Sequence, residues 1–391
     1  MADRKLTANI LAALRQALPA RQEPIALHEP TFVGREWEYV KECLDTGWVS
    51  SAGPYVERFE RELAAWTGIP YVVAVVNGTA ALHVCLLLAG VQPGDEVLVP
   101  SLTFVATANA VRYCGAFPHF VDVSPTTFGM DPDVLSAYLQ EIARMENGAL
   151  INRVTGRRIS AVVPMHTFGH PVDLEPLLAL CERYRLPLVE DAAESLGSFY
   201  RGRHTGSFGL LGAFSFNGNK IVTTGGGGAI VTSDAGLAKA ARHLTTTAKR
   251  PHPWAFWHDQ VGFNYRLPNL NAALGCAQLE QLDRLLDNKR KLYERYRRSF
   301  AAVQGVRVLQ EPPYARSNYW LNAIVLDKPD PQQRDEVLQA THDVGFLTRP
   351  VWTPMHRLPM FAECPRMPLP VTERLEHAVI NVPSSPGLVE E

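Results

Sequence analysis

Four short stretches carry side chains that together could do chemistry on an amine. Lys220 follows Ser215-Phe216-Asn217-Gly218-Asn219 between two apolar runs, where partial burial would favour a neutral, nucleophilic amine. Asp191 ends another apolar run and could offer a carboxylate to a heterocyclic nitrogen. Gly78 and Thr79 open a helix directly after a strand, where free amides and the positive end of the helix dipole favour a phosphate; Thr79 adds a hydroxyl. Phe104, in Pro100-Ser101-Leu102-Thr103-Phe104, offers a ring face. Taken singly, each has a plainer reading: a solvated lysine, a helix cap at Asp191 or Thr79, a core aromatic at 104. The combination is what pyridoxal phosphate needs, since its aldehyde, ring nitrogen, phosphate and ring face each call for a different partner.

Other chemistries fail on spacing. A P-loop needs glycine directly before its lysine and Ser or Thr after it, and Gly218-Asn219-Lys220-Ile221 breaks both requirements. No frame of Gly225 to Gly228 completes GxGxxG, and neither GxSxG nor HExxH occurs. His166 and His170 stand four apart, but Gly169 and Pro171 argue against a helix that would align them, so no metal site is expected.

The elements that must position these groups follow a βαβ rhythm. Apolar runs at 71–76, 96–99, 117–121, 159–163, 186–190, 212–216 and 228–232 read as strands, and 79–88, 106–114 and 174–185 as helices between them. Such alternation implies an α/β fold with a mainly parallel sheet covered on both faces, and ligands bind beyond the carboxyl ends of its strands. After about Gly262 the pattern changes to a long charged helix over 279–300, a strand over 320–326 and a proline-rich end. The chain therefore divides into an N-terminal helical segment 1–27, a large domain 28–262 and a smaller C-terminal α/β domain 263–391.

Composition narrows the class. The 391 residues carry a formal net charge of −2, which leaves no basic excess for nucleic acid. The N-terminal stretch mixes charges into short apolar runs, fitting an amphipathic helix rather than a signal peptide, and no membrane-spanning run occurs. The six cysteines show no metal spacing and read as buried thiols of a protein in the reducing cytoplasm.

Taken in order, Asn77-Gly78-Thr79-Ala80-Ala81-Leu82, Pro100 to Phe104, Glu190-Asp191-Ala192-Ala193-Glu194 and Ser215 to Lys220 resemble the phosphate turn, ring-stacking segment, ring-nitrogen motif and Schiff-base segment of the nucleotide-sugar aminotransferases of the DegT/StrS type, a branch of the fold-type-I pyridoxal phosphate enzymes. The likeness runs over nearly the whole chain. It implies that Lys220 holds the cofactor covalently, Asp191 pairs with its ring nitrogen, Ser215 donates to its phosphate, Asn217 contacts it from the same segment, and Glu194 stands near its ring hydroxyl, where many relatives carry glutamine. Gly262-Phe263-Asn264-Tyr265-Arg266-Leu267 is similar to the segment by which one subunit reaches its neighbour, which implies a homodimer with Asn264 touching the partner's cofactor phosphate. Some members are dehydratases with histidine in place of the lysine, so Lys220 favours transamination over dehydratase or lyase chemistry. Residues 216–228 and 351–357 look closest to enzymes that aminate UDP-linked 4-keto-6-deoxy sugars of bacillosamine or legionaminic-acid pathways, which implies a nucleotide-sugar substrate and an amino-acid donor, glutamate. His166, Trp48, Tyr319 and His356 are candidate substrate contacts, each also open to a reading as packing or caps.

Overall fold

Successive residues of a strand point to opposite faces, so a strand apolar at every position must be buried on both sides. Tyr71–Val75 does this: Val72 and Ala74 join one hydrophobic core, Val73 and Val75 the other. Gly228–Thr232 repeats the division, with Ala229 and Val231 on the first side and Ile230 on the second. The structure is a computed structural model that describes residues 3–20 and 24–389.

Among these residues, seven strands make one central sheet in the order Tyr71–Val75, Gly228–Thr232, Leu211–Ser215, Val189–Asp191, Arg158–Val162, Glu96–Pro100 and Phe117–Val121. Parallel bridges at Val162 with Leu188 and Met165 with Asp191 join its two halves. Gly228–Thr232 alone runs against its neighbours; the other pairings are parallel, as the βαβ rhythm requires. Helices at Gly78–Leu88, Val105–Tyr113 and Leu174–Tyr184 fill the crossovers close to the expected limits.

A second sheet, with every neighbouring pair antiparallel, orders Val306–Val308, Asn322–Leu326, Val379–Val382 and Arg349–Pro350. The charged helix expected over 279–300 is Leu282–Phe300, and a separate helix that was not expected, Asn269–Leu279, precedes it. The break is stapled by side chains, because the Glu280 carboxylate accepts from the Tyr39 hydroxyl at 2.6 Å and Gln281 donates to Glu36 at 3.0 Å. The strand expected from 320 starts at Asn322, which frees Trp320 and Leu321 to form a turn. The Arg4–Ala17 helix starts on Asp3, whose side chain accepts from the amides of Lys5 and Leu6. It buries Ile10, Ala13, Leu14 and Ala17, the spacing of one helical face. That face lies with the C-terminal part of the chain, since Thr7 donates to Glu336 at 3.2 Å and accepts from Gln333 at 2.9 Å.

All six cysteines are buried and unpaired. No helix among the described residues is long and apolar enough to cross a membrane.

Candidate active site

The strand ends deliver their following residues to a single cavity of about 290 Å³. Its walls hold Gly78 and Thr79, Phe104, Asp191 and Glu194, and Ser215, Asn217 and Lys220, supplied by four separate segments of the chain.

The anion end is built by close approach of backbone. Asn77 caps the Gly78–Leu88 helix, its side chain accepting from the Ala80 amide at 2.8 Å. The amides of Gly78 and Thr79 have no acceptor among the described residues and stand at the positive end of the helix. Two glycines make room for this turn. A Cβ on Gly228 would lie 2.5 Å from the Asn77 carbonyl carbon and 2.7 Å from the Gly78 nitrogen, and one on Gly78 would lie 2.9 Å from the Ser215 Cβ. The half-buried Ser215 hydroxyl therefore sits against the same helix start.

Asp191 is buried and oriented by two donors, the Thr107 hydroxyl at 2.7 Å and the Ala193 amide at 3.2 Å. Burial raises its pKa against the opposing pull of these bonds and of Lys220. Such a carboxylate lacks a full countercharge, which a protonated ring nitrogen would supply.

Lys220 is enclosed, with 13% of its side chain exposed, and its Nζ stands 3.5 Å from Glu194 Oε1. The Trp320 ring lies 3.8 Å from the same nitrogen. Burial lowers the amine's pKa, while Glu194 and Asp191 act the other way. Glu194 is itself pushed up to about 7 by burial, against the pull of Lys220. Its other oxygen accepts from the Phe168 amide at 2.9 Å. Phe168 adopts φ 56°, a left-handed conformation that few non-glycine residues hold, so the segment carrying this donor is set by its surroundings. Phe104 forms the rim, its ring 6.3 Å from that of Trp352.

Residues 31–391 match the model of the DegT/DnrJ/EryC1/StrS aminotransferase family. The chain belongs to this family. GDP-perosamine synthase of Escherichia coli O157:H7 is 38% identical over 367 residues, spanning 94% of this chain and 95% of its own length. GDP-perosamine synthase of Caulobacter vibrioides is 38% identical over 369 residues, 94% of each chain. The crystal structure of DesI in the presence of its TDP-sugar product superposes with a TM-score of 0.82 at 32% identity, covering 93% of this chain and 88% of that one. The protein is thus a sugar aminotransferase with the fold-type-I architecture.

Four expected substrate contacts of this sugar aminotransferase do not line the cavity. His166 is buried on the far side of its segment, with Nε2 3.0 Å from Glu190 and Nδ1 accepting from the Val172 amide. The cavity wall is instead its neighbour Met165, because adjacent residues of an extended segment face opposite ways. Tyr319 is buried in packing, stacked on Tyr293 with centroids 3.9 Å apart. His356 Nδ1 is bound to the Ser101 hydroxyl at 2.8 Å, and Trp48 is exposed on a loop held by Asn269. Asn264 is also exposed, bridged to Thr246, and does not line its own chain's cavity. The residues that sequence reasoning missed are Met165, Trp320 and Trp352 on the walls and Thr107 behind Asp191. Thr107 carried a signal, since it stands one helical turn after Phe104 and so returns to the same side of the helix start. Trp320 carried none, because its distance from Lys220 along the chain hides a purely tertiary contact.

Proposed function

We propose that the protein binds pyridoxal phosphate and uses it to transfer an amino group from glutamate to a nucleotide-linked 4-keto-6-deoxy sugar. The observation that carries this reading is the meeting, in one cavity, of the Lys220 amine, the buried Asp191 carboxylate and the open amides of Gly78 and Thr79. The fit is chemical as well as spatial. A dianionic phosphate suits the helix start with Thr79 and Ser215, a protonated ring nitrogen suits Asp191, and Phe104 offers a face to the ring. When bound, the cofactor supplies an aldehyde that exchanges amines and a ring that draws electrons from the carbon carrying nitrogen.

The chain's own residues then divide the work. Asp191, fixed by Thr107 and Ala193, keeps its partner nitrogen protonated. Lys220 holds the cofactor and, once released, presents Nζ between Glu194 and Trp320 as the group that accepts and returns a proton. Trp320 and Trp352 restrict water at the cavity walls.

The functional unit in this reading is a cytoplasmic homodimer. The exposed Asn264 and the exposed aromatics Phe32, Trp48, Trp254 and Trp257 support a second copy completing the site. Likeness at 216–228 and 351–357 favours UDP as the nucleotide, while two relatives are named for a GDP-linked sugar.

The test is amino transfer from nitrogen-labelled glutamate to UDP- and GDP-linked keto sugars, read by mass and NMR. Label in the sugar supports the reading, and loss of water without nitrogen transfer would replace it with dehydratase chemistry. Lys220→Ala is expected to abolish both turnover and borohydride trapping of the cofactor; a Lys220→Ala enzyme of normal activity ends the proposal.

A further inference from the structure

Lys289, on the Leu282–Phe300 helix, is wholly buried and does not line the cavity. Lysine is among the side chains least often buried, and burying its amine is costly unless something is gained from it. Burial alone drives the pKa of this amine well below the ordinary lysine value. Its Nζ donates to two main-chain carbonyls, that of Trp320 at 2.6 Å and that of Ser384.

Trp320 is fixed on four sides. Its amide donates to Asn318 Oδ1 at 2.8 Å, and its carbonyl accepts from Lys289. Its indole N–H donates at 2.7 Å to the carbonyl of Asn219, the residue before Lys220, and its ring face meets the Lys220 amine. Asn318 in turn donates to the carbonyls of Glu194 and Leu196 at 2.8 and 2.9 Å. His28, buried with both ring nitrogens unpartnered, stands beside the indole at 6.4 Å between centroids. The tryptophan thus touches the backbone that carries Lys220 and is tied to the turn that carries Glu194.

We propose that Lys289 is a positioning residue for Lys220, acting through Trp320: it grips the Trp320 carbonyl from the buried side, fixes the indole over the Lys220 amine and so keeps water from that nitrogen. The inference goes beyond the proposed function, since it concerns how one amine is held whatever sugar is aminated. The charged and titratable groups around this assembly are Glu194 and Asp191 facing Lys220, and His28 within reach of both Lys289 and Lys220. Without the grip, the indole is free to tilt, water reaches Lys220, and the penalty on its charged form shrinks.

The test uses the full-length chain stripped of cofactor. Lys220 is acetylated with acetic anhydride from about pH 6 to about pH 11, a span around the ordinary lysine pKa, and the modified peptide is quantified by mass spectrometry. Lys289→Met and Trp320→Phe are each expected to raise the midpoint of Lys220 labelling by about half a pH unit or more. The double variant is expected to match Trp320→Phe alone, because the effect of Lys289 passes through the indole. Lys289→Gln, which keeps an amide donor on a shorter arm, is expected to fall between wild type and Trp320→Phe. A folded Lys289→Met with a wild-type midpoint, or shifts that add in the double variant, overturns the proposal. Should Lys289→Met not fold, a wild-type midpoint in Lys289→Gln beside a shifted Trp320→Phe overturns it equally. The readout needs neither cofactor nor substrate, so failed borohydride trapping at Lys220 would remove the proposed function and leave this result standing.

Discussion

Glu194 is the residue where burial and charge compete most directly. Its carboxyl is raised from the ordinary glutamate range to about 7, so near neutrality it holds a proton that the unfolded chain would have released. A protonated glutamate donates a hydrogen bond as a glutamine amide does. The folded cofactor-free chain therefore binds the extra proton between about pH 5 and about pH 7. Its stability from this group falls as pH rises through that window, by roughly 1.4 kcal/mol per pH unit of displacement. Urea unfolding of cofactor-free wild type and Glu194→Gln at either end of the window is expected to show the decline in wild type and its loss in the variant; equal slopes would disprove it. Asp191→Asn is expected to keep cofactor binding and lose most turnover, read as kcat falling far more than KM rises.

At the scale of elements, the phosphate turn depends on Gly228 as much as on the residues that face the ligand. Gly228→Ala would drive a methyl into the Asn77 carbonyl and the Gly78 amide, both main-chain atoms with little freedom to give way. It is expected to destabilise by about 1–3 kcal/mol in thermal unfolding and to weaken cofactor affinity beyond what Asn77→Ala does, a cap loss worth about 1 kcal/mol. The crossover helices and core strands were legible in the sequence because short, mostly apolar runs such as Tyr71–Val75 and Gly228–Thr232 alternate with segments of helical period. Legibility failed where tertiary contacts decide. The stop at Glu280 and Gln281 rests on Tyr39 and Glu36, far away in the chain. His166 and Met165 differ by one position, enough to change which face of the segment a side chain addresses, and residue type alone does not report that parity. Lys220, Asp191, Gly78 and Thr79 stand at or after strand ends, where the sequence directs attention; Trp320 and Lys289 meet through backbone atoms, which no residue pattern reports.

For the whole molecule, we retain as a proposal the division at 262 and 263, with one qualification. The Asn269–Leu279 helix leans back on the N-terminal side of that line, its Asn269 side chain accepting from the Tyr55 amide at 2.9 Å and donating to the Trp48 carbonyl at 2.8 Å. A protease nick in the exposed stretch 250–261 is therefore expected to leave two fragments that migrate together on native gels; separation would show that the contact is weak. The first helix belongs with the other end of the chain. Leu14→Ala is expected to cost about 2–5 kcal/mol in unfolding while leaving the labelling midpoint of Lys220 unchanged. The pairing of Asp3 with Gln333 spans 330 positions. On a ribosome, the opening helix therefore leaves the exit tunnel long before its seat has been synthesised. A shorter delay applies to the indole that will roof the reactive amine: Trp320 is made 100 residues after Lys220, and over that interval the nascent chain carries the amine bare to any aldehyde present, so chaperone cover then would protect chemistry as well as folding.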